Sequence, residues 1–155
     1  MIVASGQASG SEPSPALVEQ AVRAALDKAG LDRAERVLLI LSKDFANRLP
    51  GTLRAAASTA TCLQVDGFTA SGQMTEEGWQ LDQAAASAMI FSDLPEPSET
   101  APSALLSFSG QGRLALDWQT GEARIGLIAE STRAWQQTRE RPDTRVSLSF
   151  SCLSC

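Results

Sequence analysis

The chain has 155 residues, 43% apolar and 20% charged, with a formal net charge of −5, which suits one ordinary globular domain. The acidic balance speaks against a nucleic-acid or anionic-membrane binder, both of which need a basic surface, and no apolar run approaches the ~20 residues of a membrane span. Histidine is absent, which removes Ser-His and Cys-His catalysis, His-ligated zinc and imidazole pH sensing.

In chain order, IVAS predicts a short strand. The first residues carry neither a basic n-region nor a long apolar stretch, so no secretory signal is read and a cytoplasmic location is expected. SGQASGSEPSP is a loop of small residues and prolines. Ser14 is placed to cap a helix with Pro15 at its first position. Val18, Ala21, Val22, Ala25, Leu26 and Ala29 give that helix one apolar face, and Gly30 is placed to end it. Val37 to Ser42, VLLILS, predicts a strand covered on both faces, with a helix on either side of it in sequence to supply the cover. The second helix lies within FANRLPGTLRAAASTA, with Pro50 in its first turn. LQVDGF completes a β-α-β-α-β order, the pattern of parallel crossovers.

Ala84 to Phe91, AAASAMIF, is expected as a strand at least from Ser87. Residues 93–103, rich in proline and carboxylates, are expected as an extended linker. ALLSF, RLALDW and ARIGLIA predict successive strands joined by glycine-bearing turns. ESTRAWQQTRERPDTR is expected as a solvated helix or loose segment, and VSLSFSC as a strand. The fold class expected is therefore α/β, a mixed sheet with a parallel β-α-β-α-β start and antiparallel strands in the second half. It is expected as one domain over 1–155, with an atypical tail at 136–155.

From DRAERVLLILSKDF through GFTASGQMTEEGWQLDQAAASAMIF, and again in LLSFSGQGRLALDWQTGEARIGLIA, the chain resembles the N-terminal part of a FIST domain. The residues that carry the resemblance are the strand ending in Ser42-Lys43-Asp44-Phe45, the Gly-x-Thr-Ala-x-Gly turn, the Thr-Glu-x-Gly-Trp hairpin and the LDQ before a small-residue strand. The resemblance implies a bacterial intracellular sensory module that binds a small ligand such as an amino acid, and it brings no catalytic residue set. Phe68 stands where many relatives carry cysteine, and the family continues beyond the point where FSCLSC ends this chain, so a fragment, a minimal member or an altered C-terminus is expected.

The residues themselves offer a candidate site. If LQVDGF is a central parallel strand, its carboxyl end opens where α/β sheets bind ligands, next to Ser42, Lys43 and Asp44. Gly67 and Gly72 allow close backbone approach, and Thr69, Ser71 and Thr75 supply hydroxyls. Lys43 suits a ligand carboxylate, and Asp44 or Glu76 an ammonium, as in an amino-acid-like zwitterion. The plainer alternative is that these are turn residues, with Asp44 capping the second helix, Lys43 in water and Glu76-Glu77-Gly78 a solvated hairpin tip.

Cofactors and metals are not expected. Cys152 and Cys155 form a CxxC at the terminus, and Cys62 would give zinc only a third ligand where about four are needed. Arg133, Arg139, Arg141 and Arg145 interleave with Glu130, Glu140 and Asp143, the pattern of a solvated face. Two other functional classes stay open: an assembly module that self-associates through strand edges, and a small hydrolase-like enzyme.

Overall fold

The computed structural model describes residues 1–94, 103–113, 118, 123–128 and 133–151. The elements are β1 (Ile2–Gly10), α1 (Pro15–Ala29), β2 (Arg36–Ser42), a short 3-10 helix (Lys43–Asn47), α2 (Leu49–Ala60), β3 (Val65–Ala70), β4 (Gly72–Thr75), β5 (Gly78–Leu81), β6 (Ala84–Ser92), β7 (Ser103–Ser109), β8 (Ala123–Ile128), β9 (Ala134–Gln136), β10 (Arg139–Glu140) and β11 (Arg145–Ser151). Strands order as β1-β6-β2-β3-β9-β10 in the main sheet and β11-β7-β8 in a second one, with β4-β5 as a separate hairpin. The protein is mixed α/β. Its sheet contains a parallel β2–β3 pair, and β1–β6, β6–β2 and β3–β9 are antiparallel.

The helix boundaries follow the local chemistry. Ser14 precedes α1, Pro15 opens it, and Gly30 closes it in the left-handed conformation, its N–H returned to Asp27 and Leu26 carbonyls. Pro50 sits in the first turn of α2, where its missing N–H breaks no helical bond. Asp44 does not cap α2, whose N-cap is Arg48.

Because β6 is antiparallel to both β1 and β2, strands β1, β2 and β3 all run the same way. Both crossovers then advance in one direction across the sheet. Crossovers of one hand that advance together put their helices on one face. Accordingly α1 and α2 pack on each other, and their apolar residues share a single core with Val37, Leu39 and Leu41. This corrects the expectation that the helices would cover opposite faces of β2.

The other face is covered by two different things. Over β2 and β3 lies the second sheet: Leu38 and Phe68 pack against Phe108, Val146 and Leu148, and the Phe68 and Phe108 rings stack with centroids 3.7 Å apart. Over β1 and β6 lies the β4–β5 hairpin, docked by polar contacts. Gln73 Nε2 donates to the Ala85 carbonyl at 2.9 Å, Ser87 Oγ donates to Gln73 Oε1 at 2.7 Å, and Gln7 Nε2 donates to Ser87 Oγ at 3.0 Å.

The second half departs from expectation in two places. Strands β7 and β8 are parallel, so no tight turn joins them, since parallel neighbours need a crossover. Of RLALDW between them, only Arg113 and Trp118 lie among the described residues. The charge-dense segment around Trp135 is a short hairpin, β9–β10, rather than a solvated helix or loose segment. Ala134 and Trp135 are fully buried, which fixes it to β3. Its two turn residues, Gln137 and Thr138, both have positive φ, as a two-residue type I′ turn requires. Their N–H groups donate to the Asp66 carboxylate and the Val65 carbonyl at 2.8 and 2.9 Å. Residues 95–102 of the predicted linker, and Cys152 and Cys155, lie outside the described residues.

Candidate functional site

In the parallel pair, Ser42 stands in register with Ala70. The carboxyl ends of β2 and β3 therefore open side by side. Strand β6 runs antiparallel on the far side of β2, with Ala86 beside Leu41, so the residues entering β6 arrive at the same end. The result is a cleft of about 480 Å³ whose lining includes Ser42, Lys43, Asp44, Ser71, Asp82 and Gln83.

Ser42 organises this end. It is buried, and its hydroxyl accepts the Ala85 N–H at 3.2 Å and donates to Asp44 Oδ2 at 2.9 Å. One side chain thus ties β2 to β6 and orients the Asp44 carboxylate. Lys43 and Asp44 are exposed, carried by the 3-10 helix that leaves β2. Asp82 is also exposed and takes a left-handed φ of 56°, which aspartate tolerates better than most residues. Among the described residues none of Lys43, Asp44 and Asp82 is in a salt bridge.

The structure brings Ser42, Lys43, Asp44 and Ser71 together and gives the other predicted site residues different positions. A Cβ built on Gly67 would run into the Leu39 carbonyl oxygen and come within 3.0 Å of the Trp135 ring, so this glycine serves close strand packing. Thr69 is buried, and its hydroxyl accepts the Arg133 N–H at 2.9 Å. Gly72 lies against the Leu81 side chain. Thr75 donates to Gln7 at 3.4 Å and accepts the Glu77 N–H at 3.2 Å. Glu76 is bound by Lys28 Nζ at 2.6 Å and by the Ser5 hydroxyl. The Lys28 ammonium, with Ser5, holds the Glu76 carboxyl down to about 2, and Glu77 shares the same ammonium at 3.0 Å.

No family model matches the chain, and no curated protein or solved structure matches it either.

Asp82 and Gln83 were missed by the sequence reading. They are the second and third residues of the LDQ stretch, but their place depends on β6 inserting antiparallel beside β2, a long-range choice that local composition does not encode. Trp135 is buried in the main core and Trp79 is exposed. The arginine-rich segment behaves as a solvated face, with Arg133 on Glu140 at 2.6 Å and Arg141 and Arg145 sharing Asp143 at 3.4 and 3.3 Å. No helix among the described residues is long and apolar enough to cross a membrane.

Proposed function

We propose that the protein is a non-catalytic intracellular sensory module that binds a small polar metabolite, of amino-acid type, in the cleft at the ends of β2 and β3. The observation that carries this reading is the charge arrangement there. A cleft of about 480 Å³ falls within the ~300–1,000 Å³ of small-molecule sites. It holds one cation, Lys43, and two carboxylates, Asp44 and Asp82, none of which forms a salt bridge among the described residues. A zwitterion satisfies both signs at once: its carboxylate pairs with Lys43 and its ammonium with the carboxylate that Ser42 orients. The resemblance of Ser42-Lys43-Asp44-Phe45 and its following turn to FIST domains points the same way.

The test is thermal unfolding of the full chain with each free amino acid, because a ligand that binds only the native state raises Tm as its concentration passes Kd. A saturable rise for a subset of amino acids is expected. It should be lost in Lys43→Ala and in Asp44→Asn, both exposed changes that leave the unliganded Tm nearly unchanged. Absence of any ligand-dependent shift in the wild type, or shifts that survive both substitutions, defeats this assignment of the cleft.

A further inference from the structure

Strand β1 is a sheet edge that its own sequence does nothing to guard. It pairs with β6 on one side and with no strand on the other. Among the described residues, none of Ile2–Gly10 makes a backbone–backbone bond outside that pairing. A row of unpaired N–H and C=O groups is a template for strand addition, and natural edges blunt it with charges, proline or bulges. IVASGQASG has no charge and no proline. Its register with β6 runs unbroken from Ile2–Ser92 to Gly10–Ala84, which leaves no bulge.

The two faces of β1 carry different elements. A Cβ built on Gly6 would meet Ala21, Ala24 and Ala25 of α1, and one on Gly10 would meet Leu17. Even-numbered residues therefore face the helix, and odd-numbered ones face away from it. On that other face Gln7 bonds Ser87, Ser87 bonds Gln73 of the β4–β5 hairpin, and Ser5 bonds Glu76 at the hairpin tip. Helix and hairpin lie on opposite faces of the same strand.

Lys28 nevertheless joins them. It belongs to α1, yet its Nζ donates to Glu76 Oε1 at 2.6 Å and to Glu77 Oε1 at 3.0 Å. Its path cannot cross the sheet, because β1 and β6 are paired along their whole length. Ala24 lies against Gly6, and Lys28 is four residues further on, ~6 Å along the helix axis. That brings it level with Ala4, inside the strand rather than at its end, since α1 runs opposite to β1. The route left is around the open edge of β1.

We propose that the Lys28–Glu76–Glu77 cluster is a strap across this edge that keeps β1 from pairing with β1 of a second copy. Laid antiparallel about a twofold axis, two such uncharged strands satisfy each other's outward rows in one closed contact. A strand approaching the strapped edge must first displace three charged groups. This does not depend on a metabolite in the cleft at the ends of β2 and β3.

Sedimentation of the full chain over rising concentration tests it. The wild type should remain monomeric. Lys28→Glu opens the strap by repulsion and should shift the protein to dimers as concentration rises; Lys28→Ala replaces it if it does not fold. Adding Glu76→Lys and Glu77→Lys to Lys28→Glu restores opposite charges and should restore the monomer. Adding Ser9→Lys to Lys28→Glu puts a charge on the edge itself and should also restore it. Exposed ion pairs add little stability, so Tm should stay near the wild-type value throughout, which separates edge guarding from a merely structural role. Opened variants that stay monomeric to millimolar concentration overturn the proposal. So does association that survives the charge swap or Ser9→Lys, or a wild type that associates until Ser9→Lys is introduced.

Discussion

Lys28, in the last turn of α1, holds Glu76 at the tip of the β4–β5 hairpin through a 2.6 Å ion pair. Glu76 also accepts the hydroxyl of Ser5 on β1. The hairpin tip is thereby tied to the helix and to the edge strand beneath it, which occupies the position where an unpaired strand invites aggregation.

The pair gives the protein an acid limit. Its partners lower the Glu76 carboxyl from 4.5 to about 2, so its contribution is present above the unfolded value and is lost as pH falls through the folded one. Thermal melts between pH 5 and about 2 should show a Tm decline that is shallower in Glu76→Gln. The ammonium of Lys28 is shifted upward, chiefly by Glu76, so its share persists below its ordinary value and disappears as pH rises through the raised one. Both contributions should shrink in high salt, since the pair is exposed. Equal acid slopes in wild type and variant would show that the pair does nothing for stability.

Gly67 should tolerate no side chain. Its missing Cβ leaves room for the Leu39 carbonyl of β2 and for the Trp135 ring packed across β3. Gly67→Ala forces those backbones apart, an overpacking cost of about 3 kcal/mol. Urea unfolding measures it. Gly51→Ala is the control, because a Cβ there meets nothing within 4 Å, and it should be neutral or slightly stabilising as alanine favours helix by ~1 kcal/mol.

Asp66 makes a contrasting prediction. It is buried, its carboxylate accepts the Gln137 N–H at 2.8 Å, and Arg36 stands 3.8 Å away. Burial pushes its carboxyl above the ordinary range. A carboxyl raised on folding costs stability when ionised, and that cost disappears as pH falls from above the folded value to below the unfolded one. Asp66→Asn keeps an acceptor for Gln137 and should be neutral or stabilising at pH 7, with its advantage fading in acid. Asp66→Ala strands the Gln137 N–H and should cost about 1–3 kcal/mol. Denaturant titrations of both variants at pH 7 and pH 4 separate the effects. If Asp66→Asn proved as damaging as Asp66→Ala at pH 7, the charge itself would be doing the stabilising.

Local chemistry in the sequence was enough for the two helices, for Pro15 and Gly30 at the ends of the first, and for the strands VLLILS, LQVDGF and AAASAMIF, because helix ends and apolar periodicity are written within a few residues of where they act. It was also enough to put Ser42-Lys43-Asp44 and Ser71 at strand ends. Which strands become neighbours is a different kind of question. The insertion of β6 between β1 and β2, the stacking of both helices on one face and the delivery of Asp82 and Gln83 to the cleft arise from contacts far apart in sequence, chosen by how apolar faces can be covered together. The same holds for Gly67, Thr69, Thr75 and Glu76. Their residue types suit either a ligand loop or structural packing, and only their tertiary neighbours — Leu39, Arg133, Gln7 and Lys28 — decided that these positions hold the fold together.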